Sequence, residues 1–524
     1  MKPPTRVGAP VGRALELLLA GVFGALHSVA FVHTGLGWLQ LGVVAAVAWR
    51  VASAAPARAA AVGLVFGTAW LGSSTWWLFI SLHQFGGLPA WIAVLAIALL
   101  SAGLSLCIAL AFAAFAHWRD AGAAARAWRN ALLFGAVWLL AELARGVVFT
   151  GFPWVASGYA QVDSPLAALA PWLGVYGIGF VVAALAAWPA LAWDGTARSL
   201  VTPVGVLAWV LGGAALAGPG QHTQPGATLS VTLLQGNVPQ DQKFAQEQMP
   251  QSLAWTSEQL LRARGDLVVA PETVIPLLPS QLDPGYWQAI AEHFQRGPQA
   301  ALIGLPLGND EAGYTNSAAG LSAQTAALPG GFYRYDKHHL VPFGEFIPTG
   351  FRWFTQLMHI PLGDFNRGPV GAASFAYRGE RIGANICYED LFGEELAARF
   401  IVTAQAPTIF ANISNIAWFG DTIAIEQHLQ ISRLRALEFQ RPMLRATNTG
   451  ATAVIDHLGH VTHQMPPHTQ GVLDGVVQGR TGLTPFAWWA ARFGLWPLAS
   501  GAAVVVAAMA LRRRRGASSH EGRP

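Results

Sequence analysis

The run IGANICYED, Ile382–Asp390, decides how the rest of the chain is read. Ile382–Ile386 is apolar except for one asparagine and has isoleucine at both ends, which suits a short buried strand. It passes without a linker into a thiol, Cys387, then into Tyr388, Glu389 and Asp390, and a helical pattern follows over Leu391–Phe400. Layered α/β folds present their chemistry in this way, at the carboxyl end of a strand that hands over to a helix.

The same texture extends outward in both directions. Leu229–Leu234, Leu267–Ala270, Ala301–Leu305, Thr408–Phe410, Arg445–Thr447 and Ala451–Ile455 read as strands. Ala245–Arg264, Tyr286–Phe294 and Thr422–Phe439 read as helices. Together they make Gly218–Thr484 one layered α/β domain of about 265 residues. Two more of its segments deliver polar groups. The strand Leu267–Ala270 runs into Pro271 and Glu272, and YRYDKHHLVPFGE, Tyr333–Glu345, carries Lys337 and Glu345.

Outside that region the chain changes character. It is 53% hydrophobic and only 11% charged overall, against roughly 25% charged in soluble proteins. A span needs about 20 apolar residues, and seven such stretches precede the α/β region. They are Arg13–Val32, Leu36–Val51, Ala59–Ile80, Leu88–Ala116, Asn130–Thr150, Pro165–Trp193 and Leu200–Leu216, and Pro485–Leu511 supplies an eighth. The first is followed almost at once by another span and by no clear cleavage site, so it is expected to stay rather than be removed as a signal peptide.

Lys2, Arg6 and Arg13, then Arg50 and Arg58, then Arg119, Arg126 and Arg129, then Arg198, and finally Arg512–Arg515 fall at alternate span ends. The loops His33–Gly35, Ser81–Gly87 and Gly151–Ser164 hold no lysine or arginine. Positive charge collects on the cytoplasmic side. The expectation is therefore eight spans with both termini cytoplasmic: residues 1–217 as a seven-span domain, 218–484 outside, 485–511 as the eighth span and 512–524 as a basic tail. Glu142 and Arg145 lie three residues apart within the fifth span and read either as an ion pair that fixes helix packing or as intramembrane charges with a catalytic role. The net charge of +4 comes from short clusters. With no basic stripe carrying interleaved aromatics, no nucleic-acid partner is expected.

The chain has two cysteines. Cys107, in LSLCIALAF, reads as a small hydrophobe, and the pair makes neither a disulfide framework nor a metal site. Cys387 can act as a nucleophile if its proton has somewhere to go. Glu272 is the candidate base, Lys337 the candidate to stabilise an oxyanion, and the positive end of the helix after Cys387 would favour a thiolate. Each residue also has a plainer reading: a packed small residue, a solvated turn carboxylate, and a surface basic cluster with His338 and His339. Adjacent histidines have poor ligand spacing, and there is no glycine-rich phosphate loop, so neither metal nor cofactor is expected.

APET (Ala270–Thr273), YDKHHLVPFGE (Tyr335–Glu345), NICYED (Asn385–Asp390) and NISNIAWFG (Asn412–Gly420) resemble the four signature stretches of the nitrilase, or carbon–nitrogen hydrolase, superfamily. With the preceding spans, the LLQGNVPQ opening and the closing helix, the chain resembles the apolipoprotein N-acyltransferase family within it. The resemblance implies an αββα sandwich on an eight-helix base, with Glu272 as general base, Lys337 as oxyanion-stabilising ammonium and Cys387 as nucleophile. Glu345 is implied as an orienting carboxylate, and Tyr388 and Glu389 as residues important to activity.

It also implies a ping-pong acyl transfer at the bacterial inner membrane, with the catalytic domain periplasmic. The donor would be a phospholipid, phosphatidylethanolamine in the first instance, and the acceptor a diacylglyceryl apolipoprotein. Phe244 stands where relatives often carry Trp, and Ile416 where many carry Asp. Trp76, Trp77 and Trp154 suit a lipid-facing rim or an ordinary interfacial belt. A membrane-anchored amidase would share the triad but need only one span. A transporter with an inert outer domain would call for polar, discontinuous helices at the midplane.

Overall fold

A computed structural model describes residues 10–120, 126–348, 350 and 364–521, and Lys2 and Arg6 lie outside them. The amino-terminal half is helical: α1 Pro10–Val29, α2 Gly37–Ala52, α3 Pro56–Ser74, α4 Ala90–Trp118, α5 Ala127–Val147, α6 Ala170–Ala192 and α7 Arg198–Ala217. Six of these seven are long and apolar enough to cross a membrane. The exception, α3, carries Arg58 together with glycines, serines and a threonine, yet it packs between α1 and α4. The expected closing span, Pro485–Leu511, is broken: Pro485–Phe493 and Trp496–Arg515 meet at 86°, with Gly494 at positive φ between them. Counting that bent pair, up to seven spans pass among the described residues, so the architecture is of the expected kind and the count of eight is not reached.

Within the bundle α5 is central, flanked by α4, α6 and the helix Trp496–Glu521. The seventh helix is exposed almost along its length, Trp209 and Leu216 included. Glu142 and Arg145 are both buried in α5, but they do not pair. Glu142 Oε1 accepts from the Ser157 backbone N–H (2.8 Å) and hydroxyl (2.7 Å), and Arg145 donates to the Trp154 carbonyl (2.7 Å). A backbone loop with orphan polar groups offers each charge better-directed partners than the other charge does.

Twelve strands follow among the described residues: β1 Thr223–Gln235, β2 Leu267–Val269, β3 Ala300–Asn309, β4 Gly313–Leu321, β5 Tyr333–Asp336, β6 Phe375–Tyr377, β7 Glu380–Ile386, β8 Ile409–Ser414, β9 Met443–Thr447, β10 Ala453–Ile455, β11 Val461–Gln464 and β12 Gly471–Gly482. They form two six-stranded sheets, ordered β12-β1-β2-β3-β4-β5 and β11-β10-β9-β8-β7-β6. Each has a parallel centre, β1-β2-β3 in one and β7-β8-β9 in the other, with antiparallel margins.

Side-chain alternation dictates the layering. Leu229, Val231, Leu233, Leu267, Val269 and Leu302 face Ile382, Ala384, Ile386, Ile409, Ala411 and Ile413 in a core between the sheets. The intervening Val268, Ala301 and Ile303 turn outward onto Leu260, Ile290 and Phe294 of the helices Met249–Arg262 and Pro284–Arg296. The outer face of the second sheet is covered by Ala424–Phe439. The result is the expected αββα sandwich. β4, β5, β6, β11 and β12 carry no clear strand pattern in the sequence, because their glycines and exposed polar residues blur the apolar alternation; β12 alternates partly buried and exposed positions as an edge strand should.

The same helix, Ala424–Phe439, seats the sandwich on the bundle. Gln427 Oε1 accepts from the indoles of Trp77 (3.1 Å) and Trp154 (2.8 Å), and its amide donates to the Ser74 carbonyl. Arg433 pairs with Asp163, and Glu438 accepts from the Val175 backbone N–H at 2.6 Å. Trp77 and Trp154 are therefore buried at 1% and 2% exposure and do not form a lipid-facing rim; of the three tryptophans only Trp76 is exposed.

Candidate active site

The carboxyl ends of strands from both sheets converge on one place. From β2 the chain passes through Ala270 and Pro271 to Glu272. Gly304 of β3 lets this exit lie close: a Cβ there would meet the Pro271 carbonyl at 2.3 Å. From β5 comes Lys337, and from β7 comes Cys387. Glu345 follows in the turn after Lys337, its Oε2 held by the Val341 backbone N–H at 2.8 Å.

Glu272, Lys337 and Glu345 form one buried cluster. Lys337 Nζ lies 3.3 Å from Glu272 Oε1 and 2.9 Å from Glu345 Oε1. Asn316, on β4, donates through Nδ2 to the same two oxygens at 2.7 and 2.6 Å, so the carboxylates are tied together twice. The second oxygen of Glu272 accepts the Asn415 backbone N–H at 2.8 Å. Burial alone would raise the Glu272 carboxyl, but Lys337, Lys243 and these hydrogen bonds outweigh it and hold it below the usual carboxylate range. Lys337 is likewise held firmly protonated: burial opposes its charge, but Glu272 and Glu345 prevail.

Cys387 is half-buried and sits at φ +52°. A non-glycine residue in that region costs about 1 to 3 kcal/mol. The turn is held chiefly by Glu389. Its Oε2 accepts the Ile386 backbone N–H and the Tyr335 hydroxyl, both at 2.7 Å, and its Oε1 accepts the backbone N–H groups of His338 (2.7 Å) and His339 (3.2 Å). One buried carboxylate thus straps the Cys387 turn to the segment carrying Lys337. Asn412 holds the Cys387 carbonyl at 3.1 Å.

The thiol lies in the field of both Glu272 and Lys337, and it is pushed up to about 12, by burial first and by Glu272 second, with Lys337 and the Ser414 hydroxyl opposing. The helix expected over Leu391–Phe400 is broken into a 3₁₀ turn Cys387–Leu391, a five-residue helix Gly393–Ala397 and a further 3₁₀ turn, so no long helix offers its positive end to the thiol. Burial and the Glu272 charge thus both favour the protonated thiol.

Tyr388 points the other way. Its hydroxyl donates to the Gly151 carbonyl at 2.9 Å, in the loop after α5, and its ring lies beside Phe152 and Phe392. The residue after Cys387 thus touches the helical bundle, next to Val147, Val148 and Phe149, which are all exposed. His338 and His339 are spent on the Gly368 carbonyl and on Glu395, and they do not share a ligand position.

Several residues of the cluster were not singled out from sequence. Asn415 and Ser414 lie inside the quoted NISNIAWFG stretch. Asn316 sits in a strand that was overlooked. Lys243 is the neighbour of Phe244: it is 6% exposed and donates to the Glu272 carbonyl at 3.1 Å, whereas Phe244 is 55% exposed. Ile416 is fully buried.

A two-sheet sandwich with a glutamate, a lysine and a cysteine gathered at its strand ends defines a carbon–nitrogen hydrolase fold, and residues 230–486 match the carbon-nitrogen hydrolase family. Residues 23–188 match the apolipoprotein N-acyltransferase N-terminal domain. The chain is 54% identical to the apolipoprotein N-acyltransferase of Verminephrobacter eiseniae, over 91% of this chain and 92% of that protein. It is 46% identical to that of Ralstonia nicotianae, over 95% and 94%, and 40% identical to that of Bordetella bronchiseptica, over 97% and 98%. The chain belongs to the apolipoprotein N-acyltransferase family.

Proposed function

We infer that this protein is a membrane acyltransferase that N-acylates lipoproteins, and we propose that it does so through a thioester on Cys387. Family membership over nearly the whole chain supports the activity. The observation that carries the chemistry is the single buried cluster of Glu272, Lys337 and Glu345, with Cys387 in the field of the first two.

In the proposed route the carbonyl carbon of a phospholipid sn-1 ester, phosphatidylethanolamine in the first instance, is attacked by the Cys387 sulfur as Glu272 takes the thiol proton. The oxyanion that forms is met by the third N–H of Lys337, the other two being directed at Glu272 and Glu345. Protonated Glu272 returns its proton to the departing lysophospholipid oxygen, which leaves a thioester. The α-amine of a diacylglyceryl-cysteine at the lipoprotein amino terminus then attacks, Glu272 accepts its proton, and the thiol is restored. Because the resting thiol is protonated, sulfur attack and proton transfer proceed together.

The bundle has a physical part in this reading. Extracting a lipid costs about 0.8 kcal/mol per CH₂, so a site one residue away from an apolar loop of the bundle avoids most of that cost. We propose residues 1–217 and 485–511 as the membrane part of an inner-membrane protein, 218–484 as a periplasmic catalytic domain, and 512–524 as a cytoplasmic tail, on the distribution of lysine and arginine.

Exposure of the purified protein to labelled phosphatidylethanolamine vesicles, followed by mass spectrometry, tests the route. One added acyl group on Cys387, removed by hydroxylamine, is expected. Label that persists in Cys387→Ala would eliminate this residue as the carrier, and ammonia released from simple amides without any lipid would favour an amidase.

A further inference from the structure

We propose that Lys243 is a positioning residue of the acyl-transfer site: a second ammonium that balances the second carboxylate, so that the oxyanion formed beside Cys387 does not have to share Lys337 with Glu345. The proposal rests on the thioester route above.

The geometry is specific. Lys243 is buried, and among the described residues its Nζ makes one hydrogen bond, to the backbone carbonyl of Glu272. An ammonium has three donors, so two are left toward a cavity lined by Glu272, Thr273, Ser252, Thr256 and Asn448. The segment that carries it is tied to the cluster through Gln240, whose Oε1 accepts Asn415 Nδ2 at 2.9 Å, while the Asn415 backbone holds Glu272. An unpaired buried ammonium is costly unless a nearby field repays it. The ionisable groups that face it are Glu272 and Cys387, and the other polar side chains around its cavity are uncharged.

Charge counting shows what Lys243 adds. Glu272 and Glu345 against Lys337 leave one uncompensated negative charge, which opposes any further anion. With Lys243 the cluster is neutral. When the Cys387 proton moves to Glu272 and the new C–S bond places charge on the carbonyl oxygen, the two anions, Glu345 and the oxyanion, are matched by two cations. Burial pulls Lys243 down to about 8, against the opposing pull of Glu272 and Cys387. The matching charge is therefore present at neutral pH and lost on the alkaline side.

The test is single-turnover thioester formation on the full-length protein in nanodiscs, with labelled phosphatidylethanolamine, from about pH 6 to about pH 10. Lys243→Met is expected to slow the step about tenfold near neutrality and to abolish the alkaline decline of the parent. Lys243→Arg, which keeps its charge throughout, is expected to stay within about threefold of the parent and to hold its rate at high pH. Lys243→Met with the parent rate and profile would overturn the proposal, as would Lys243→Arg behaving like Lys243→Met. If Lys243→Met does not fold, the alkaline profile of Lys243→Arg alone decides, and an unmoved decline sinks the proposal. A parent protein that forms no thioester would refute the acyl-enzyme route instead.

Discussion

The helical bundle and the sandwich each bury acidic and basic side chains close together, and they use them in opposite ways. In α5, Glu142 and Arg145 avoid one another and spend their hydrogen bonds on the backbone of residues 154–157. In the sandwich, Lys337 bonds directly to both Glu272 and Glu345 and keeps a donor in reserve. Charges committed to backbone hold a loop in place. Charges committed to each other, with valence left over, form a polar site in which a reaction can exchange a proton and stabilise a new anion.

Substitutions on the two sides can break or sharpen that contrast. Cys387→Ala is expected to have the largest effect, a loss of acyl transfer of at least about 10⁴-fold with unchanged thermal unfolding. Lys337→Ala is expected to lower single-turnover thioester formation by about 10² to 10³-fold. Normal rates in that variant would mean that the oxyanion is stabilised elsewhere.

Arg145→Met should do the reverse. It leaves the Trp154 carbonyl unpaired and is expected to cost about 3 kcal/mol or more of stability, read as a lowered melting temperature in detergent, with a much smaller change in single-turnover rate. A rate loss as large as that of Lys337→Ala would erase the distinction between the two regions. Gln427→Leu, which strips the partner from the buried Trp154 indole and leaves Trp77 only the Ser74 carbonyl, is expected to cost about 1 to 3 kcal/mol and to loosen the sandwich from the bundle, seen as faster hydrogen exchange at residues 152–157.

The smallest effect concerns the thiol itself. Its raised pKa means that the thiolate fraction keeps growing well beyond the ordinary thiol range of about 8.5. Alkylation of Cys387 by iodoacetamide should therefore still be climbing at about pH 9.5 instead of reaching a plateau. A plateau near pH 8 would show that the thiolate is favoured at rest.

The sequence by itself determined the elements whose pattern is local. The apolar runs, the alternation in Leu229–Leu234 and Ile382–Ile386, and the strand exits at Glu272 and Cys387 depend on near neighbours, and burial of one face is enough to dictate them. What it missed has a common cause. Lys243, Asn316 and Asn415 reach the cluster from separate segments, and no spacing along the chain marks residues that meet only when two sheets close on each other. The partners of Glu142 and Arg145 were likewise decided by packing of the 154–157 loop onto α5, and the burial of Trp77 and Trp154 by packing between the bundle and the sandwich. Buried polar atoms must find partners wherever the fold supplies them, and a helical face shows only that a charge is present, not which partner it will meet.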